Sequence, residues 1–315
     1  MLTLLLIVIG ALLLDQWLGE PRRAHPLVAF GHAAHWLEAR LNRADPKRGR
    51  RAGLLALALA VLPLTALAAG LDYGLRAWPL VHGVVSVLIL WLAIGRRSLL
   101  LHAARVARPL QQGDLTAARA AVAMLVSRDT AELDSAGVAR ATTESVLENG
   151  ADALFSALFW YLVAGLPGVV LYRLANTLDA MWGYRTPRHD RFGWAAARFD
   201  DLLNLVPARL TALGYALAGS TPSAVRRALH CWRSQGSVWK SPNAGPVMAA
   251  GAGALNVSLG GGAPYHGQWQ ERPRLGPADC PAEATHIEQA CRLVDRTLLI
   301  WLAALGILWA ILTLI

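Results

Sequence analysis

The sequence has little charge and few cysteines, and each shortage excludes a class of protein. Only 16% of its 315 residues are Asp, Glu, Lys or Arg, against about 25% in soluble domains. The three cysteines, Cys231, Cys280 and Cys291, form no CxxC pair, lack metal-ligand spacing and are odd in number, which excludes a disulfide framework. The pattern GxxxxGK[ST] is also missing, so a P-loop is excluded. A chain with so little charge is expected in lipid rather than in water.

The hydrophobic residues that dominate the sequence are gathered in long runs. They make up 55% of the chain, and the mean hydropathy is +0.38. Crossing a hydrocarbon core of about 30 Å takes about 18 or more apolar residues, a length that 53–71, 79–95 and 297–315 meet. A fourth run, 2–18, lacks the basic start and the cleavage site of a secretory signal, so it is interpreted as a span or half-span. These runs predict an integral membrane protein.

The net charge of +9 is explained by the loops between the apolar runs. The segments 19–52, 96–150 and 221–296 are rich in Lys and Arg, and cytoplasmic loops of membrane proteins carry such an excess. We therefore assign the charge to topology and expect no nucleic-acid partner. The predicted location is the cell inner membrane, crossed several times, with the active face in the cytoplasm.

Two apolar segments do not read as simple spans. The segment 151–175 contains GLPG at 165–168, and Gly and Pro inside an apolar run favour a helical hairpin over a straight span. Such a re-entrant backbone is tolerated where protein buries it. The segment 202–220 is ambiguous because it contains Pro207 and Arg209.

These patterns predict an all-α polytopic membrane protein with re-entrant or broken helices and cytoplasmic helical loops. No long repeat interrupts the chain, so 1–315 is treated as a single domain. The candidate spans are 2–18, 53–71, 79–95, 153–175, 202–220 and 297–315.

Polar residues gather in three clusters between the spans. The first contains Arg128, Asp129, Glu144, Glu148, Asn149 and Asp152. On a helix, Glu144, Glu148 and Asp152 would stack along one face. Three like charges in a row repel unless a cation neutralises them, and Mg²⁺ prefers such oxygen ligands. A solvated acidic helix is the alternative.

The second cluster contains Asn176, Asp179, Tyr184, Arg198, Asp200, Asp201, Asn204 and Arg209. Asp200 and Asn204 share a helix face, and arginines such as Arg198 and Arg209 suit carboxylate or phosphate. Together with the first cluster, these side chains could hold a metal-bound phosphate. An exposed charged helix, with Arg209 in a structural ion pair, is the alternative.

The third cluster contains Lys240, Ser241, Asn243, Gly260, Gly261 and Tyr265. Ser-Pro-Asn and Gly-Gly-Gly favour loops whose backbone N–H groups can point at an anion, although ordinary tight turns would explain them too. His25, beside the first span, is a further candidate for substrate binding or for a plain structural role.

Taken in order, these motifs resemble the CobD/CbiB family, the membrane-bound adenosylcobinamide-phosphate synthases of cobalamin biosynthesis. The resemblance covers nearly the whole chain. It rests on Asp15 with GEP at 19–21 and HP at 25–26, RDT at 128–130, ExxxENxxD at 144–152, NTLDAMWGY at 176–184, DDLLNLVPAR at 200–209, SPNAG at 241–245 and LGG at 259–261. The departures are Glu20 where Asp is commoner, Leu147 where Ala is usual and Ser127 where Gly is usual.

The resemblance implies an ATP-dependent ligase that joins aminopropanol phosphate, or free aminopropanol, to a propionate carboxylate of adenosylcobyric acid. It implies Mg²⁺ as a cofactor, ATP as a co-substrate and a corrinoid as a substrate. The implied metal ligands are Glu144, Glu148, Asp152, Asp200 and Asp201. The implied catalytic residues are Glu144, Glu148, Asn149, Asp200, Asp201 and Arg209. The implied substrate-binding residues are His25, Arg128, Asp129, Asn176, Asp179, Tyr184, Arg198, Asn204, Lys240, Ser241, Asn243, Gly260, Gly261 and Tyr265.

Two other readings stay open at this stage. A membrane prenyl-type transferase would also hold Mg-diphosphate between acidic helices, and a membrane signalling protein of the AmpE type would be no enzyme. The sequence also leaves open the phosphorylation and carbon skeleton of the amine, and any assembly into homo-oligomers or with other late cobalamin-pathway enzymes.

Overall fold

The computed structural model describes residues 2–21, 25–42, 49–184, 186–265 and 267–314, with the side chain of Tyr265 left out. Within these residues the α-helices are α1 Leu2–Leu18, α2 Pro26–Leu41, α3 Gly49–Leu75, α4 Pro79–Ala93, α5 Arg96–Gln111, α6 Leu115–Val122, α7 Ser135–Gly150, α8 Ser156–Trp182, α9 Trp194–Leu203, α10 Leu205–Leu217, α11 Pro222–Gln235, α12 Ala244–Leu255 and α13 Ala284–Leu314. A π-helix, Ala151–Phe155, joins α7 to α8, and a 3-10 turn, Gly236–Val238, follows α11.

Short antiparallel strands occupy the loop before α13. They are β1 Leu259–Gly260, β2 Ala263–Tyr265, β3 Gln268–Gln270 and β4 Arg274–Leu275. The strands β2 and β3 form a hairpin, and β1 pairs with β4 so that Leu259 lies opposite Leu275.

Four helical stretches are long and apolar enough to cross a membrane. They are Gly49–Leu75, Pro79–Gln111, Ser135–Trp182 and Ala284–Leu314. In the last of these only 11% of the most apolar window is buried by the rest of the chain. The remaining apolar side chains need lipid around them, because water would leave the whole helix face unfavourably hydrated. The chain is a polytopic helical membrane protein, as the sequence predicts.

The other two candidate spans, 2–18 and 202–220, are not among these four stretches. Helix α1 has 17 residues. The segment 202–220 does not form one helix, because α9 ends at Leu203 and α10 has only 13 residues. A helix of that length extends about 20 Å, which is less than the hydrocarbon core.

The segment after the π-helix is a helical hairpin. Helix α8 breaks at Gly165, whose φ of 62° and ψ of −145° are not helical. A Cβ added at Gly168 would lie 2.4 Å from the carbonyl oxygen of Trp160, so the chain has turned back on itself. Ser156 and Tyr172 also bind one and the same oxygen, although a straight helix would separate them by about 24 Å. The hairpin prediction is confirmed and a straight span is wrong.

The described chain packs into two compact units, each assembled from two separated stretches. The first unit comprises Met1–Gly95 and Ser156–Asn204, and the second comprises Arg96–Phe155 and Leu205–Ile315. Because the stretches alternate along the chain, neither unit corresponds to a continuous piece of sequence.

In the first unit, α3 packs directly on the backbone before α9. A Cβ at Gly53 would lie 1.9 Å from the carbonyl oxygen of Phe192, and the rings of Phe192 and Trp182 meet edge to face at 5.0 Å. An ionic contact lies at the end of α2, where the buried Glu38 accepts hydrogen bonds from Arg188 at 2.6 Å and His189 at 2.8 Å. These contacts fix the loop that leads into α9.

In the second unit, the centre is α12, a helix of small residues that is buried along its whole length. Its glycines permit close approach: a Cβ at Gly253 would lie 2.7 Å from the Cα of Ala228 on α11. Beside it, Phe155 contacts the rings of Tyr215 and Trp301. The second unit therefore has a closely packed core, and α7 packs against α12 and α13.

Candidate active site

The most heavily charged interior site of the second unit surrounds Glu144. Its side chain lies on α7 and is 3% exposed. Arg128 donates to Oε2, Arg272 approaches the same oxygen at 3.4 Å, and the backbone N–H of Gly260 donates to Oε1 at 2.7 Å. Both carboxylate oxygens are therefore engaged by the protein. We call these residues, with Arg140, the Glu144 cluster.

The LGG motif is the backbone support of this cluster. Gly260 has a φ of +71°, and a Cβ there would lie 2.1 Å from the carbonyl oxygen of Pro273, so only glycine fits. The N–H of Gly261 donates to that same Pro273 oxygen at 3.0 Å. The sequence predicts that this loop points a backbone N–H group at an anion. In the structure the N–H of Gly260 does so, and the anion is the carboxylate of Glu144.

Two arginines of the cluster were not predicted from the sequence. Arg272 donates through Nε to the carbonyl oxygen of Gly261 at 3.0 Å, and its guanidinium lies over the ring of Trp239 at 5.2 Å. Arg140 lies close enough to interact electrostatically with Glu144 and Arg272. It precedes Glu144 by four residues, so one more step back along the i, i+4 series would have found it. Arg272 stands in a loop without periodicity, where no local pattern indicates it.

The other acids of the predicted helix face have different surroundings. Glu148 is half-buried one turn after Glu144 and interacts electrostatically with it. Asp152 lies in the π-helix Ala151–Phe155, where the wider turn ends the regular i, i+4 stacking. Asn149 is exposed and donates to the carbonyl and hydroxyl oxygens of Ser145. Helix breaks of this π type occur frequently at functional sites.

The SPN motif forms a turn at the start of the central helix of the second unit. The hydroxyl oxygen of Ser241 accepts the N–H groups of Asn243 at 3.3 Å and Ala244 at 3.1 Å, at the start of α12. The side-chain oxygen of Asn243 accepts a hydrogen bond from Arg209, while Lys240 is exposed. The backbone N–H groups of the motif are therefore bound by its own serine, which is the ordinary role of serine in a turn.

Asp129 anchors the β2–β3 hairpin rather than facing open space. Its carboxylate accepts the N–H of Gly267 at 2.7 Å, and its own N–H donates to the carbonyl oxygen of Pro264 at 3.0 Å. The hairpin thus lies against the residue that follows Arg128. The side chain of Tyr265, also predicted to bind substrate, is outside the described residues.

In the first unit, Asp200 and Asn204 form a buried network. Asp200 is 8% exposed and accepts hydrogen bonds from Asn176 at 3.3 Å and Asn204 at 3.0 Å. The side-chain oxygen of Asn204 accepts from Ser156 at 2.7 Å and Tyr172 at 3.1 Å. Burial raises the pKa of Asp200 to about 6, against the lowering effect of the two amide donors. The sequence predicted the acid and the amides but missed both hydroxyl groups.

The remaining candidates of the first unit lie nearer its surface. Asp201 is partly exposed and lies 3.5 Å from Arg198, and burial raises the pKa of its carboxyl. Asp179 packs against Gly183, and Tyr184 is exposed. His25 accepts the N–H of Leu27 and caps α2, so its position fits the structural reading.

The arrangement of the acids bears on the expected magnesium ion. Among the described residues no three His, Cys, Asp or Glu side chains lie close enough together to hold a metal. Because arginines and a backbone N–H engage both of its oxygens, Glu144 is a poor ligand. Mg²⁺ usually takes one or two protein carboxylates and fills its other positions with phosphate oxygens and water. Glu148 in the second unit and Asp201 in the first remain suitable for that role.

Comparison with known proteins finds members of one family that match almost the whole chain. The family model described as CobD/Cbib protein matches residues 8–294. The cobalamin biosynthesis protein CobD of Stutzerimonas stutzeri is 59% identical over 96% of this chain and 97% of its own length. The protein of the same name from Chromobacterium violaceum is 57% identical over 96% and 95%, and that from Mycobacterium tuberculosis is 42% identical over 88% and 87%. No solved structure matches the chain.

Proposed function

This chain belongs to the CobD/CbiB family of cobalamin biosynthesis proteins, and we propose that it is the ligase that attaches an amino alcohol to a corrinoid. In this reaction the amine of aminopropanol phosphate, or of free aminopropanol, attacks a propionate carboxyl of adenosylcobyric acid. ATP phosphorylates the carboxyl and leaves as ADP, the amine then displaces phosphate, and the product is an amide. The relatives' names favour this pathway over prenyl transfer or signalling.

The observation that carries the proposal is the Glu144 cluster. In the proposed reaction the carboxylate is activated by phosphorylation, and cations that are already in position stabilise the phosphoryl group during its transfer. In this protein Arg128, Arg140 and Arg272 come from a loop, a helix and a second loop and surround one buried carboxylate. Glu144 holds these guanidinium groups in place without neutralising all of them, which is what a pre-organised phosphate clamp requires.

Glu148 supplies the second part of the proposed chemistry. Its half-buried carboxylate lies one turn from Glu144 and is suited to accept a proton from the attacking amine or to bind Mg²⁺. Bound magnesium would neutralise phosphate charge. Asn176 and Asn204 donate to Asp200, so we assign them to the support of the first unit rather than to substrate binding.

The corrinoid and the amine are cytoplasmic molecules in this proposal. The basic segments 96–150 and 221–296 contribute all residues of the Glu144 cluster, and positively charged segments stay on the cytoplasmic side. We therefore propose the cell inner membrane, with the cluster open to the cytoplasm.

The test is synthesis by the purified full-length protein in lipid nanodiscs. Adenosylcobyric acid, ATP, Mg²⁺ and either aminopropanol or its phosphate are supplied, and the product is identified by mass spectrometry. We expect an amide whose formation needs ATP, and a loss of about 10²-fold or more in Glu148→Gln, the scale of general base catalysis. Glu283→Gln, which removes an exposed acid of the same unit, should keep full activity. Absence of any ATP-dependent amide from both amines would refute the proposal.

A further inference from the structure

Arg140 lies beside Glu144, and its guanidinium has no hydrogen-bond acceptor within the part of the chain that the structure describes. Among the described residues it donates no hydrogen bond, and its Nε atom is buried without a partner. Buried polar groups are nearly always paired in native proteins, and an exception calls for an explanation. A guanidinium that has no acceptor among the described residues, and that lies next to further guanidinium groups, is suited to bind an anion from outside the chain.

The surroundings of Arg140 show where that anion would lie. Arg272 donates to the carbonyl oxygen of Gly261, and a Cβ at Gly261 would lie 3.8 Å from the Nη1 atom of Arg140. Both arginines therefore converge on the same glycine, which has no side chain to cover them. Glu144 interacts with both, so it fixes their spacing as a positioning residue.

The two arginines indicate the chemistry of the ligand. A guanidinium binds carboxylate or phosphate through parallel N–H groups. A carboxylate offers two oxygens in one plane, whereas a tetrahedral phosphate group presents oxygens in several directions to arginines that approach from different elements. Here one arginine comes from α7 and the other from the loop between β3 and β4.

We propose that Arg140 and Arg272 bind a phosphate group of a substrate beside Gly261. The identity of that substrate rests on the proposed function, which offers two sources with the same chemistry. One is the triphosphate of ATP, and the other is the phosphate ester of the amino alcohol.

The experiment measures binding to the full-length protein in nanodiscs by isothermal titration calorimetry. The probes are a non-hydrolysable ATP analogue, aminopropanol phosphate and free aminopropanol. Arg140→Gln removes the guanidinium, Arg140→Lys keeps the charge without the planar donor pair, and Arg292→Gln removes an exposed arginine of the same unit as a control. Thermal unfolding shows whether each variant is folded. If Arg140→Gln is not folded, the affinity of Arg140→Lys is compared with that of the wild type instead.

We expect Arg140→Gln to weaken one phosphate probe by about ten- to a hundredfold, the loss of one charge-assisted hydrogen bond. Arg140→Lys should weaken it less, and Arg292→Gln not at all. The probe that loses affinity identifies the source of the phosphate. Unchanged affinity for both phosphate probes in the Arg140 variants, or no binding of either by the wild type, would overturn the proposal.

The same samples separate this inference from the proposed function. Phosphate binding that depends on Arg140 without any amide product would refute the ligase and leave the phosphate site standing. Amide formation together with unchanged binding in the Arg140 variants would refute the phosphate site and leave the ligase standing.

Discussion

Replacement of Asn204 by leucine should open the α8 hairpin. Asn204 is 2% exposed, and its amide binds both arms of the hairpin, through Ser156 at 2.7 Å and Tyr172 at 3.1 Å. It also donates to Asp200 at 3.0 Å. Leucine has a similar volume but can make none of these hydrogen bonds, so three buried polar groups lose a partner.

The expected cost is large on the scale of a single substitution. Each buried group left without a partner costs about 1–3 kcal/mol, and a rotating hydroxyl recovers part of that by finding a backbone acceptor. Asn204→Leu should therefore lower the free energy of unfolding by about 3–6 kcal/mol. The matched control is Asn149→Leu, whose exposed amide binds only within its own helix and which should cost less than about 1 kcal/mol.

The assay is unfolding of the purified protein in mixed micelles, followed by circular dichroism as denaturing detergent is added. A triple variant, Asn204→Leu with Ser156→Ala and Tyr172→Phe, should recover part of the loss, because no hydroxyl group is then left unpaired. If Asn204→Leu unfolded like the wild type, or if it cost no more than Asn149→Leu, the hydrogen bonds of Asn204 would not hold the hairpin.

Three further predictions concern single groups. Gly260→Ala should lower the free energy of unfolding by about 3 kcal/mol or more. Gly261 has a similar φ of +73°, but a Cβ there would lie 3.8 Å from its nearest neighbour, so Gly261→Ala should cost only the left-handed strain of about 1–2 kcal/mol. Equal costs of the two substitutions would contradict the close contact at Gly260. Burial raises the pKa of Asp200 to about 6, so the folded state holds that proton more tightly than the unfolded state does. The free energy of unfolding should therefore fall by up to about 3 kcal/mol as the pH rises from about 4 to about 6. Asp200→Asn should lack this decrease in the free energy of unfolding. If the variant and the wild type showed the same dependence of stability on pH, Asp200 would not be its cause. Glu38→Ala should cost about 1–3 kcal/mol through its lost hydrogen bonds and leave His189 more accessible to diethyl pyrocarbonate; unchanged labelling would show that Glu38 does not hold that ring.

The location of the hairpin could be predicted because its cause is local. Gly and Pro at 165–168 interrupt an apolar run, and glycine readily adopts the positive φ that Gly165 has at the break. The spacing of Glu144 and Glu148 was equally readable, since a helical repeat is a property of neighbouring residues. The π-helix that carries Asp152 was not predicted, because no residue type specifies the extra residue in its turn.

The roles of the predicted residues were less accessible than their positions. Asn176, Asn204 and Ser241 were expected to face substrate, yet their polar atoms bind Asp200, the hairpin and the start of α12. A buried amide and a substrate-binding amide have the same letter in the sequence. Only the neighbours decide between them.

The sequence by itself determined the helical membrane fold, the broken segment after residue 150 and the family. The lengths of the apolar runs, the Gly and Pro residues that break helices, and the order of the motifs are all local features of the sequence. The tertiary structure decided which charges meet. Glu144 receives a hydrogen bond from Gly260, 116 residues away, and contacts Arg272, 128 residues away. Such partners are brought together by the packing of α7, α12 and the strands, and that packing depends on the fit of many side chains at once. For this reason the acid that looked like a metal ligand is the centre of an arginine cluster.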